Sequence, residues 1–125
     1  MIRVLAVGIG GGLGALARFW LLEPSASFPY STLLINVSGS FFITFFTYLW
    51  LDREIVKALL TTGFCGGFTT MSAFSGEVFA LINAHTGIAC LYIFLSIAFG
   101  IIGAIAGDKA ARFFKKPTRG DHHVC

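Results

Sequence analysis

Four stretches of this chain are too apolar and too long to be buried in the core of a small soluble domain. They cover roughly residues 4–22, 33–51, 55–83 and 88–107. A helix rises about 1.5 Å per residue and bilayer hydrocarbon is about 30 Å thick, so about 20 apolar residues suffice to cross it. Each stretch meets that length. With 56% apolar and only 12% charged residues, the 125 residues read as one all-α membrane protein domain, 1–125, of four transmembrane helices followed by a basic tail at 108–125. The connections "EPSASFPYST", "DRE" and "AHTG" leave no room for an extramembrane domain. Function must therefore lie inside the membrane or at its faces.

The first window is not expected to be a cleaved signal peptide. "ALA" precedes Arg18, but Arg3 alone supplies a basic leader and further spans follow. Cys65, Cys90 and Cys125 are odd in number and widely spaced, so no disulfide framework is expected. The "DHHVC" ending lacks the usual metal-ligand spacing and reads as a disordered tail. With four spans, both termini and the "DRE" loop share one side, which carries Arg3, Arg53, Lys57, Lys109, Arg112, Lys115, Lys116 and Arg119 against Arg18 alone on the other. By the positive-inside rule that side is cytoplasmic. The tail's mixture of basic and aromatic residues suits the headgroup layer, and interfacial anchoring is preferred to a specific lipid or nucleic-acid site.

Polar residues inside hydrocarbon must face protein, water or a ligand, so their spacing carries information. Thr32, Asn36, Ser40 and Thr44 recur every fourth residue on one helical stripe; Tyr92 and Ser96 repeat the spacing, with Gly100 continuing the line. Ser72 and Ser75 lie one turn apart, with Phe74 between them. Such residues serve either close helix packing or a wet pathway, and their recurrence on three spans favours the pathway. The glycine pairs Gly8/Gly12, Gly10/Gly14, Gly63/Gly67 and Gly103/Gly107 read instead as packing contacts.

No stripe carries an acid. Amide N–H and hydroxyl donors suit an anion, and the positive edge of a phenyl ring can contact one too, whereas a cation or proton path usually needs a carboxylate. Glu77, the one carboxylate within a predicted span, is expected near an end of the membrane with arginine or backbone partners. A hydrolase built on Ser72 or Ser75 lacks a base, since His85 falls in a loop and His122 and His123 in the tail, so no enzyme is expected.

The third window, 29 residues at 55–83, would be about 43 Å long as one straight helix, longer than the hydrocarbon requires. Gly66 and Gly67 are poor helix formers and Thr69, Thr70 and Ser72 are good N-caps, which predicts a helix ending near Cys65 and another starting near Thr70. A break there frees carbonyls for a cation and aims a helix N-terminus at an anion. A glycine kink without a ligand is the simpler alternative.

Three segments, "GGLGALARFW" (11–20), "STLLINVSGSF" (31–41) and "GFCGGFTTMSAFSGE" (63–77), closely resemble the signature stretches of the bacterial fluoride channels, the Fluc or CrcB family. The likeness runs through all four spans in order. It implies a fluoride-selective channel of the bacterial inner membrane that lets fluoride leave the cytoplasm passively. It also implies an antiparallel, dual-topology homodimer with a structural sodium ion at its centre. By match to the motifs, backbone carbonyls of Gly66 and Thr69 would hold the sodium, and Asn36, Thr32, Ser72, Ser75, Tyr92 and Ser96 would line the fluoride path. Phe74 would present a ring edge to fluoride, and Arg18 would be a structural or vestibule cation. Met71 stands where the pattern has a first phenylalanine, and Ala73 where it often has a hydroxyl. A thioether lacks the aromatic positive edge, so altered rate or selectivity is expected. The one-sided positive charge admits pairing with an oppositely oriented sister subunit; the homodimer is preferred because tail charges are imperfect topology signals. The alternative function is a small proton-coupled exporter of cationic compounds, with Glu77 as its only candidate carboxylate.

Overall fold

A computed structural model describes residues 1–23 and 28–115. Residues 24–27 of the first connection and the chain from residue 116, including "DHHVC", lie outside the described residues. Among the described residues every regular element is helical. Helix α1 spans Ile2–Leu21, α2 Tyr30–Leu49, α3 Glu54–Lys57, α4 Gly66–Phe68, α5 Met71–Ala84 and α6 Thr86–Phe114; a π-helical segment, Ala58–Cys65, joins α3 to α4. Three of these, α1, α2 and α6, are long and apolar enough to cross a membrane. At 29 residues, α6 is about 43 Å long, more than the about 30 Å of hydrocarbon it would have to cross.

Few large side chains are buried. The apolar core consists of Ala6, Ile35, Cys65, Phe68, Ala89, Tyr92 and Ala111, while most leucine, isoleucine and phenylalanine side chains of α1 and α6 face outward. Lipid is as apolar as leucine, so helices in a membrane gain more from close backbone approach than from burying bulk. Glycines make that approach. A Cβ on Gly14 would lie 2.1 Å from the Phe64 carbonyl oxygen, and one on Gly10 2.1 Å from that of Leu59. A Cβ on Gly107 would meet the Phe41 carbonyl oxygen at 2.1 Å, which locks α6 against α2. Thr44 Oγ1 reinforces the same seam by donating to the Ala104 carbonyl at 2.9 Å. The packing expected of Gly10/Gly14, Gly63/Gly67 and Gly103/Gly107 is present, but a Cβ on Gly8 or Gly12 would meet nothing within 4 Å. That pair lies on the outward side of α1 within this chain.

Around "GFCGGFTT" the backbone departs from expectation. Cys65 and Gly66 are both helical (φ −64°, ψ −37° and φ −64°, ψ −38°), and helix continues to Phe68 instead of ending near Cys65. The glycines there do not irregularise the chain. Gly67 abuts α1, where a Cβ would lie 2.2 Å from the Gly11 carbonyl oxygen, and Gly66 is open. The departure from helix falls at Thr69 (φ −72°, ψ 155°) and Thr70 (φ −140°, ψ 118°). Thr69 returns both its N–H (3.0 Å) and its Oγ1 (2.9 Å) to the Cys65 carbonyl, satisfying the end of one helix. Thr70 Oγ1 accepts from the Ala73 N–H at 3.1 Å, capping α5.

Candidate functional site

The extended pair Thr69–Thr70 is held from two other helices. From α2, Asn36 makes a reciprocal amide contact, with Oδ1 accepting from the Thr70 N–H at 2.8 Å and Nδ2 donating to the Thr70 carbonyl at 3.1 Å. From α1, Arg18 Nη1 donates to the Thr69 carbonyl at 2.9 Å. Buried backbone groups outside a helix need such partners, since an unpaired buried amide or carbonyl costs about 1–3 kcal/mol. One N–H of the Asn36 amide is left for a further acceptor. An open cleft of about 350 Å³ lies beside the pair, with Asn36, Ser40, Gly66, Thr69, Thr70 and Met71 among its lining residues. Met71 is 72% exposed there.

A second cluster forms around Glu77 on α5. Thr32 Oγ1 donates to Oε1 at 2.6 Å, and the Tyr92 hydroxyl donates to Oε2 at 2.8 Å, so the carboxylate joins α2, α5 and α6. Thr32 and Tyr92 are completely buried. The Tyr92 ring packs on Phe74 with centroids 5.1 Å apart, and Phe28 meets its edge at 5.5 Å. Glu77 therefore does not have the arginine or backbone partners expected of it; two hydroxyl donors from neighbouring helices serve instead. Its signal in the sequence is that it is the one carboxylate in an otherwise apolar run.

The α2 stripe is thus divided among separate tasks. Thr32 reaches the carboxylate, Asn36 reaches the extended pair, Ser40 donates to its own helix at the Asn36 carbonyl (2.9 Å), and Thr44 bridges to α6. Ser72 and Ser75 are exposed, and the Ser72 hydroxyl lies 3.3 Å from Thr70 Oγ1. Ser96 Oγ is buried with no hydrogen-bond partner among the described residues. A hydroxyl desolvated in that way has unmet capacity for a polar neighbour.

No group of three His, Cys, Asp or Glu that could hold a metal occurs among the described residues. Gly66 and Thr69 line the same open cleft. Carbonyl oxygens suit a hard cation, and Thr69 keeps one lone pair beyond the Arg18 contact, so the residues fit a carbonyl-held ion. Two carbonyls are only part of a coordination shell.

Long apolar helices, glycine seams and polar side chains gathered on a non-helical pair define a small multi-pass membrane protein with an intramembrane polar site. The chain belongs to the CrcB family, whose sequence profile (CrcB-like protein, Camphor Resistance) matches residues 5–108. It is 40% identical over 120 residues to the "Fluoride-specific ion channel FluC" of Chlorobium chlorochromatii, covering 89% of this chain and 93% of that protein. The FluC protein of Methanopyrus kandleri is 42% identical over 117 residues, 87% of this chain and 88% of the relative. "Fluoride-specific ion channel FluC 2" of Bacillus subtilis is 42% identical over 114 residues, 86% of each chain.

Proposed function

We propose that this chain is a fluoride-specific channel of the bacterial inner membrane, not an enzyme, and that it lets fluoride leave the cytoplasm passively. The observation that carries the reading is a family match from residue 5 to 108, through every helix that supplies a polar group to the site, to relatives named as fluoride-specific channels. The named relatives lend no support to a proton-coupled exporter of cationic compounds.

In this reading α3 to α4 and α5 are the two halves of a fourth, interrupted span, with Thr69 and Thr70 between them. Two copies in antiparallel orientation close the outward-facing cleft. Each supplies the Gly66 and Thr69 carbonyls to a structural sodium ion, which contributes fixed positive charge at the centre and is not transported. Arg18 fixes the Thr69 carbonyl as a structural cation.

Fluoride is small and its water is costly to remove, so a path must offer replacement donors in sequence. The free N–H of Asn36, the Ser72 and Ser75 hydroxyls and the edge of Phe74 supply them near the break, and Ser96 further along α6. Its hydroxyl is buried and makes no hydrogen bond among the described residues. Thr32 and Tyr92 hold Glu77, and Tyr92 in turn sets the Phe74 ring. Met71 contributes a polarizable surface without an aromatic edge. Efflux from liposomes containing the purified protein, followed with a fluoride electrode, tests the reading. Fluoride is expected to leave while chloride is retained; no flux, or equal passage of chloride, would overturn it.

A further inference from the structure

Where α2 ends beside the last turns of α6, a second cleft of about 250 Å³ is lined by Ile43, Thr44, Thr47, Tyr48, Leu51 and Asp108. Its surface is mostly apolar and Asp108 is its one charged lining residue; two cations stand beside it on the Tyr48 ring. The Arg112 guanidinium carbon lies 5.0 Å from the centre of the Tyr48 ring, and Lys115 Nζ lies 5.7 Å from the same centre. Two cations on one aromatic ring repel each other unless an anion joins them. Asp108 partly does so, its Oδ2 accepting from Arg112 Nε at 2.9 Å. That bond uses one of the five guanidinium N–H donors and leaves the rest free. Lys115 makes no ion pair among the described residues. With two cations against one carboxylate, the group around Tyr48 carries one net positive charge beside the cleft.

Depth identifies what could fill such a cleft. About 20 residues of α6 suffice to cross the hydrocarbon, so Asp108 and Arg112, in the last two turns of a 29-residue helix, and Lys115, its C-cap, stand at headgroup level. Trp50, Phe113 and Phe114 lie in the same layer, with Phe114 edge-on to Phe45 at 6.0 Å. Ile43 and Thr44 lie nearly two helical turns deeper than Leu51, on the hydrocarbon side. The cleft thus offers apolar surface below and excess positive charge above, the arrangement of a phospholipid with a negative headgroup.

We infer that this cleft holds one anionic phospholipid, its phosphodiester on Arg112 and Lys115 and an acyl chain beside Ile43 and Leu51. This goes beyond general anchoring by a basic tail, because both cations stand against the ring of Tyr48, which itself lines the cleft. It is independent of which ion the protein conducts.

Titration of the full chain in detergent with short-chain phosphatidylglycerol, read by native mass spectrometry, tests the inference. The wild type is expected to retain one phosphatidylglycerol per chain in preference to phosphatidylcholine of the same chain length. Arg112→Gln/Lys115→Gln is expected to bind it about thirtyfold more weakly, whereas Arg53→Gln/Lys57→Gln, which removes the same charge elsewhere on that side, stays within about twofold. Tyr48→Leu keeps both charges and frees them from the ring, and is expected to lose the preference for phosphatidylglycerol over phosphatidylcholine. Equal loss in the two charge-removing doubles, equal retention of phosphatidylcholine by the wild type, or displacement of the lipid by inorganic phosphate alone would overturn the inference.

Discussion

Replacing Asn36 separates the task the structure gives it, holding the extended pair, from the one proposed for it, facing the ion. In the wild type its amide exchanges two hydrogen bonds with the Thr70 backbone, at 2.8 and 3.1 Å. Asn36→Ala removes both without adding charge, a loss of about 2 kcal/mol at about 1 kcal/mol per bond. Asn36→Asp keeps the bond from the Thr70 N–H but sets a carboxylate oxygen against the Thr70 carbonyl, where a donor had been. It also adds negative charge to the path. Two unit charges about 4 Å apart repel by about 4 kcal/mol at an effective dielectric constant of about 20, which is about a thousandfold in anion occupancy. Fluoride efflux from liposomes should therefore fall about thirtyfold in Asn36→Ala and by a further factor of ten or more in Asn36→Asp. Size-exclusion profiles matching the wild type would establish that both variants fold. Wild-type flux in a folded Asn36→Asp protein would refute the placement of Asn36 on the path, and equal loss in the two variants would reduce its role to holding Thr70.

Other perturbations probe separate parts of the structure. Gly67→Val should yield little monodisperse protein, because its Cβ would be driven to 2.2 Å from the Gly11 carbonyl oxygen, whereas Gly8→Ala, with open space at the same spacing, should change thermal stability in detergent by less than about 0.5 kcal/mol. Glu77→Gln leaves one carbonyl oxygen for the two hydroxyls of Thr32 and Tyr92, so fluoride flux should fall about tenfold while cells gain or lose no resistance to toxic cations; cation resistance that disappears with this change would favour an exporter. Met71→Phe introduces an aromatic edge at the cleft, and fluoride flux relative to chloride should rise by about threefold or more in the same liposome assay.

The membrane character of the chain was legible because it depends on local composition and length alone. Thr70 as a cap was legible for a similar reason, since a threonine before a helix can accept from an N–H three residues on without reference to the rest of the chain. Gly66 and Gly67 were misread as the cause of the departure from helix. Their low helix propensity is real, but the backbone stays helical through both, and the use of Gly67 is to admit the Gly11 carbonyl of another helix. The four-residue stripe on α2 was read correctly as one helical face, yet its members contact α5, the extended pair, their own helix and α6 in turn. A shared face does not imply a shared task.

Sequence by itself determined that the chain is helical and belongs in a membrane, which residues could be polar there, and which family it joins, because hydrophobic length and ordered motifs are properties of the chain taken in line. Tertiary structure decided which polar groups meet. Glu77, Thr32 and Tyr92 are separated by 45 and 15 residues and converge because Gly103 and Gly107 let α6 meet the α2 backbone and because α5 turns into α6 at His85. The hydrogen bonds that satisfy buried polar groups depend on distances between helices, and those distances are set by packing of small residues far from the groups they bring together.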